Sequence, residues 1–146
     1  MVRRYLPWLT AFATLTLGAC SHSAPDPAAQ EAAAAAHIAS IPAANPAKFH
    51  DIHGSKSWKN PYLIVKPDGV ALLDVANNEE HILNPDELTQ KLAQLPETAW
   101  PYGRTVAVTE AVVTSEHDKA EIRKNKAIVA GTLEGMHVTI NWIPAA

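Results

Sequence analysis

Cysteine is almost absent from this sequence, which has only Cys20 among its 146 residues. A single thiol cannot form an internal disulfide, so the chain does not belong to the disulfide-stabilised class of small secreted domains. The sequence also lacks a Gly-x-Ser-x-Gly nucleophile motif and a glycine-rich phosphate-binding loop. These absences predict a protein that is not an enzyme and that carries no cofactor.

Basic residues are also fewer than acidic residues. The chain has 12 Lys and Arg against 15 Asp and Glu, which gives a net charge of −3. Arg3 and Arg4 lie at the extreme N-terminus, and without them ten Lys and Arg remain and the net charge is −5. A net acidic domain repels phosphate groups, so we expect no nucleic-acid partner.

The sequence contains no apolar run long enough to form a stable membrane-spanning helix. Its most apolar stretch, residues 5–17, follows Arg3 and Arg4 and is succeeded by small residues. A basic start, a short apolar core and a small-residue end are typical of a secretory signal peptide. We therefore predict a signal peptide over residues 1–19.

The end of this segment, Leu17-Gly18-Ala19-Cys20, resembles the lipobox of bacterial lipoproteins. The resemblance implies that the Cys20 thiol carries a diacylglyceryl group and that the mature chain begins there. Several acyl chains on one residue anchor a protein stably in a membrane. Ser21 follows where many inner-membrane lipoproteins have Asp, so the resemblance implies the outer membrane, with the chain facing the periplasm.

Residues 21–48 are rich in Ala and Pro and have almost no large apolar side chains. Asp26 and Pro27 match an N-cap followed by N1, and the Ala-rich run to Ser40 favours a helix. Such a short helix is marginal in water on its own. We predict that residues 20–57 form a solvated tether, with a reach on the order of 60 Å. A small domain over residues 58–146 should follow.

The domain shows alternating strand and helix patterns. Apolar runs at residues 62–65 and 70–74 flank Lys66-Pro67-Asp68-Gly69, which predicts an antiparallel hairpin, and residues 81–83 could extend the sheet. A helix should start after Asn84, which caps it, with Pro85 at N1 and Glu87 completing the capping box, and a strand should follow at residues 104–113. A second helix should be capped by Ser115 and end before a C′ residue, Gly135, and a last strand should cover residues 136–144.

The predicted order is β-β-α-β-α-β, with a mixed sheet and both helices on one face. Right-handed crossovers place the helices together, so the fold class is an α+β two-layer sandwich. This order, with Val-x-Pro-Asp-Gly at residues 65–69, resembles the periplasmic domain of ExbD/TolR proteins over residues 62–142. The resemblance implies the fold and pairing through sheet edges or binding of extended peptide or cell-wall material. The ExbD/TolR proton-coupling role is not carried over, because the acidic transmembrane helix has no counterpart here.

Two histidines are the weak candidates for a metal site. His50 and His53 flank Asp51 and could ligate Zn or Cu if this segment forms a turn. No third His or Cys follows at a recognised spacing, so we expect no specific metal site.

The segment Ala99–Arg104 packs Trp100, Tyr102 and Arg104 together just before a predicted strand. Its sequence, Ala-Trp-Pro-Tyr-Gly-Arg, also resembles part of an uncharacterised bacterial envelope family, which implies no activity. Trp100 and Tyr102 should cover the end of the core, while Arg104 is a cation beside two aromatic residues on an acidic domain. These three residues are the candidate partner-binding site, and we expect Arg104→Ala to leave folding intact.

The function predicted from the sequence is that of a lipid-anchored envelope protein without enzymatic activity. Its domain should bind another envelope protein, peptidoglycan or a second copy of itself through the helix-free sheet face or an edge strand. The alternative is a small metal-dependent or hydrolytic enzyme acting on envelope substrates, with polar groups around His50, His53 or His81.

Overall fold

The computed structural model describes residues 26–74 and 79–145. Cys20 and the predicted signal peptide lie outside the described residues. Within them, no helix is long and apolar enough to cross a membrane. The structure contains helices α1 (Pro27–Ser40), α2 (Leu88–Ala93) and α3 (Glu116–Gly135), and strands β1 (Tyr62–Lys66), β2 (Gly69–Asp74), β3 (Glu79–Leu83), β4 (Thr105–Glu110) and β5 (Thr139–Trp142).

The five strands form one mixed sheet in the order β3-β2-β1-β4-β5. The first three strands pair antiparallel, whereas β4 and β5 pair parallel with β1 and with each other. Lys66 lies opposite Gly69 across the turn, so the predicted hairpin is confirmed. The residues after it form a full strand, β3, with Val70 opposite Leu83.

The two predicted helix starts have the expected caps. The backbone N–H of Asn84 donates to Oε2 of Glu87 at 3.1 Å, which completes the capping box before α2. The backbone N–H of Asp118 donates to Oγ of Ser115 at 3.0 Å at the start of α3. The contact at Ser115 sets the start of α3, whereas Asn84 and Glu87 cap a 3-10 turn, Pro85–Glu87, and α2 begins only after it at Leu88.

The end of α3 differs from its prediction. Gly135 is the last helical residue, and the left-handed position is taken two residues later by His137, with φ of 56°. The backbone N–H of Val138 then donates to the carbonyl of Leu133 at 2.9 Å, as the chain turns into β5. The prediction of Gly135 as the C′ residue is therefore wrong.

All three helices lie on one face of the sheet. Their apolar side chains and those of the strand residues facing them form the main core, and the predicted α+β two-layer sandwich is confirmed. Fully buried members of this core include Ile38, Leu63, Val65, Leu88, Leu92, Val106, Val108, Val129 and Leu133.

Helix α1 belongs to this layer and is not part of a free tether. Ile38 is 0% exposed, Ile41 is also buried, and α1 packs along α2. The two isoleucines lie three positions apart at the C-terminal end of α1, so both can face the core. Burial of each side chain contributes about 1.5–3 kcal/mol, which outweighs the marginal stability of an isolated Ala-rich helix. The prediction of a solvated linker is therefore wrong from Pro27 onward, and the domain includes α1.

A second, smaller core lies on the opposite face of the sheet. The segment between α1 and β1 folds across this face and contributes Phe49 and Trp58, which pack with Tyr102. The ring centroids of these three side chains are 5.2–5.9 Å apart, in tilted and edge-to-face arrangements. The cluster covers the sheet around Tyr62 and Ala107 and leaves the rest of the helix-free face open.

Candidate functional site

The structure separates the three residues of the predicted partner-binding site. Trp100 is 4% exposed and lies in the main core, whereas Tyr102 is 7% exposed and lies in the second core on the other side of the sheet. Their side chains therefore have almost no surface to offer a partner.

The turn that separates them is held by Asn60, a residue that was not among the predicted site residues. Its side-chain amide donates to the carbonyls of Gly103 at 2.7 Å and Thr105 at 2.8 Å, and its Oδ1 accepts from the backbone N–H of Tyr102 at 2.9 Å. Asn60 is buried, so each of these bonds satisfies a group that water cannot reach. The dipeptide Asn60-Pro61 is a turn signal, but only the folded structure shows its partner, about 40 residues further along the chain.

Arg104 connects two helix ends. Its Nε donates to the carbonyl of His137 at 2.9 Å, beyond α3, and its Nη1 donates to the carbonyl of Ala39 at 2.8 Å, in the last turn of α1. A cation at helix C-termini is favourable because the terminal carbonyls carry partial negative charge. Arg104 thus has a structural role that accounts for its position beside the two aromatic residues.

The candidate metal ligands do not come together. His50 lies 3.0 Å from the carboxylate of Asp51, and both side chains are largely exposed. His53 lies at the rim of a groove on the helix-free face of the sheet. His81 projects from β3 towards α2. Across residues 26–74 and 79–145, no three His, Cys, Asp or Glu side chains are grouped so that they could hold a metal ion.

His81 also lines a depression of about 780 Å³ at the end of the first hairpin. The lining is mostly apolar and includes Trp58, Leu73 and Leu95, and its charged residues are Lys56, Lys59 and Asp74. This arrangement offers no pair of carboxylates and no nucleophile beside His81 among the described residues.

A groove of about 560 Å³ crosses the helix-free face of the sheet, beyond the aromatic cluster. Its floor consists of Tyr62 and Ile64 from β1 and Thr109 from β4, and the parallel register places Ile64 directly beside Thr109. Burial raises the pKa of the Tyr62 hydroxyl, and its hydrogen bond with the Thr109 side chain opposes that shift. The walls are formed by His53, Gly54, Ser55, Lys56, Lys66, Glu80, Ala111, Val112, Ile143 and Pro144.

Most charged side chains around this groove are ion-paired, and one is not. Lys66 pairs with Glu80, and Glu110 pairs with Lys126 from α3. Lys56 has no ion-pair partner in the described part of the chain. The groove therefore combines an apolar floor with one uncompensated cation.

The two edges of the sheet also differ. The outer strand β3 presents exposed Glu79, Glu80 and His81, and such charged side chains discourage pairing with another strand. The other outer strand, β5, carries no charged residue, and its Trp142 is 44% exposed with Nζ of Lys126 at 4.6 Å from the ring centroid.

No protein-family model matches the chain, and neither the curated proteins nor the solved structures contain a match. The likeness to lipoproteins and to ExbD/TolR domains therefore stays a prediction from the sequence.

Proposed function

We propose that this protein is a lipid-anchored component of the bacterial cell envelope and that its domain binds another envelope protein without catalysing a reaction. In this proposal Cys20 carries the lipid, and the anchor lies in the outer membrane with the domain facing the periplasm. The supporting observation is the groove on the helix-free face. Its apolar floor and polar rim are typical of a binding site, and 560 Å³ is in the usual size range for ligand pockets.

The packing of α1 adds a restriction on where the partner lies. Only residues 21–26 separate Cys20 from the start of α1 at Pro27. A fully extended chain spans at most about 3.6 Å per residue, so this connection covers roughly 20 Å. The folded domain is then held near the membrane surface, which favours a membrane-proximal envelope protein over material deeper in the cell wall.

The groove supports this proposal better than the sheet edges do. The β3 edge is charged, and β5 is only four residues long. Because β5 carries no charge, pairing of two copies along this edge is the alternative within the same class of function.

The test is photo-crosslinking in intact cells, with the crosslinking residue at Val112 on the groove wall or at Lys124 on the exposed side of α3. Val112 is 72% exposed, so the substitution should not disturb packing. We expect a covalent product with a defined envelope protein from Val112 and none from Lys124. Equal products from both positions, or none from Val112, would contradict groove binding.

The anchor requires a separate measurement. Cys20→Ser should release the chain from the membrane fraction and prevent its labelling by a radioactive fatty acid. Membrane retention of this variant would contradict the anchor without affecting the crosslinking result.

A further inference from the structure

The groove on the helix-free face is chemically asymmetric along its length. Lys56 lies at the end near Tyr62, because it also lines the neighbouring depression beside Leu73. Val112 lies at the opposite end, three residues beyond Thr109 along the direction of β4. A ligand lying along the β1–β4 pair therefore meets an unpaired cation at one end and, beyond it, a mostly apolar floor whose charged neighbours are ion-paired.

We propose that this groove binds the C-terminal end of an extended apolar peptide, with the terminal carboxylate at Lys56. This inference rests on the proposed function, since it takes the groove to be the binding surface, and it adds the chemistry of the bound segment.

The charge pattern selects a single carboxylate at the end of the ligand. Glu80 is neutralised by Lys66, and Glu110 is neutralised by Lys126, so neither lysine is available to a ligand. Lys56 is the cation left without a partner among the described groove residues. A peptide with several acidic side chains would find one unpaired cation among the described groove residues, and the net charge of −5 on the mature chain would repel it. A single terminal carboxylate at Lys56 keeps this repulsion small.

The floor and rim favour a peptide over a plain acyl chain. Ile64 and Ile143 supply apolar contacts, and the hydroxyl of Tyr62 is hydrogen-bonded to the Thr109 side chain. The rim adds an imidazole at His53 and a hydroxyl at Ser55, whose hydrogen-bonding capacity suits peptide amides. An acyl chain has no polar group along its length and could form neither of these hydrogen bonds.

The test uses the mature lipid-anchored chain in nanodiscs, with isoleucine methyl groups observed by NMR. The probe is an N-acetylated tetrapeptide of alternating Ala and Val, supplied with a free C-terminus or as its amide. We expect the free acid to shift the methyl signals of Ile64 and Ile143 while Ile128, on α3, stays in place. The free acid should bind about two- to fivefold more tightly than the amide, as expected for one ion pair with an exposed lysine.

Lys56→Glu should abolish the difference between acid and amide. Lys59→Glu is the matched control, because Lys59 is a nearby exposed lysine that does not line this groove, and it should retain the difference. Laurate serves as a second probe and should bind more weakly than the peptide acid.

Equal affinity of acid and amide, no shift of Ile64 and Ile143, or stronger binding of laurate would each overturn this inference. If Val112 still captures an envelope protein under any of those results, only the ligand chemistry is wrong. If the peptide does not bind the groove and the crosslinking residue at Val112 captures no envelope protein, the proposed function is wrong as well.

Discussion

Arg104 and His137 are joined by a hydrogen bond of 2.9 Å from the guanidinium Nε to the backbone carbonyl, across 33 positions in the sequence. The same guanidinium reaches Ala39, so one side chain holds the ends of α1 and α3 beside the start of β4.

Arg104→Ala should therefore destabilise the fold, in contrast to the expectation from sequence. Two backbone carbonyls lose a charged donor, which costs about 1–3 kcal/mol of unfolding free energy. Urea denaturation measures this, with Arg123→Ala on the exposed side of α3 as the control of equal charge change. Unchanged stability together with weaker partner capture would instead make Arg104 a binding residue.

Substitutions at His137 and Gly135 test which of the two residues occupies the left-handed position after α3. His137 has φ of 56°, so His137→Gly should relieve strain and stabilise the protein by about 0.5–1 kcal/mol. Gly135 is helical, and a Cβ added there would meet only open space, so Gly135→Ala should be neutral or stabilising. Thermal unfolding compares the two variants. Strong destabilisation by Gly135→Ala would show that Gly135, and not His137, occupies the left-handed position.

Gly103 is a glycine that the fold requires. Its φ is 83°, and a Cβ there would lie 2.3 Å from the carbonyl oxygen of Ala43. Gly103→Ala should cost about 3 kcal/mol or more, because left-handed strain and a backbone clash add together. Gly131→Ala in α3, where a Cβ meets nothing within 4 Å, is the control and should stabilise by about 0.5–1 kcal/mol. Similar denaturation midpoints for the two variants would show that an added Cβ at position 103 causes no clash.

Ile38 decides whether α1 is a tether or a part of the domain. Ile38→Ala should lower the unfolding free energy by about 2–5 kcal/mol, since the side chain is fully buried against α2 and its neighbours. Ile128→Ala removes the same atoms from an exposed position on α3 and should cost much less. If α1 were part of a solvated tether, Ile38→Ala would leave the unfolding free energy unchanged. That result would contradict the packing of α1 on the domain.

Tyr62 should make the fold sensitive to alkaline pH. Its folded-state pKa is raised above 10.0 by burial, so the folded state holds the phenol proton more tightly than the unfolded state. The stabilising contribution is complete below pH 10 and is lost as the pH rises through the folded-state pKa. Urea denaturation at about pH 8 and pH 11 should show a larger loss for the native chain than for Tyr62→Phe. Parallel losses would assign the alkaline sensitivity to other groups.

Several features of the fold could be predicted because their signals are local. The turn at Pro67 and the helix caps at Asn84 and Ser115 depend on contacts within three or four residues. The length of β3 could not be predicted, because its five residues pair only once β2 is in place. The groove itself depends on Ile64 lying beside Thr109, a pairing across 45 positions.

The first hairpin, the start of α3 and the arrangement of apolar residues in an α+β sandwich can be read from the sequence, because neighbouring residues and periodicity suffice for these. The folded structure alone shows that α1 packs on the domain, that Trp100 and Tyr102 lie in separate cores and that Arg104 bonds two helix ends. Each of these depends on groups that are distant along the chain and on the burial that brings them together, which no local pattern records.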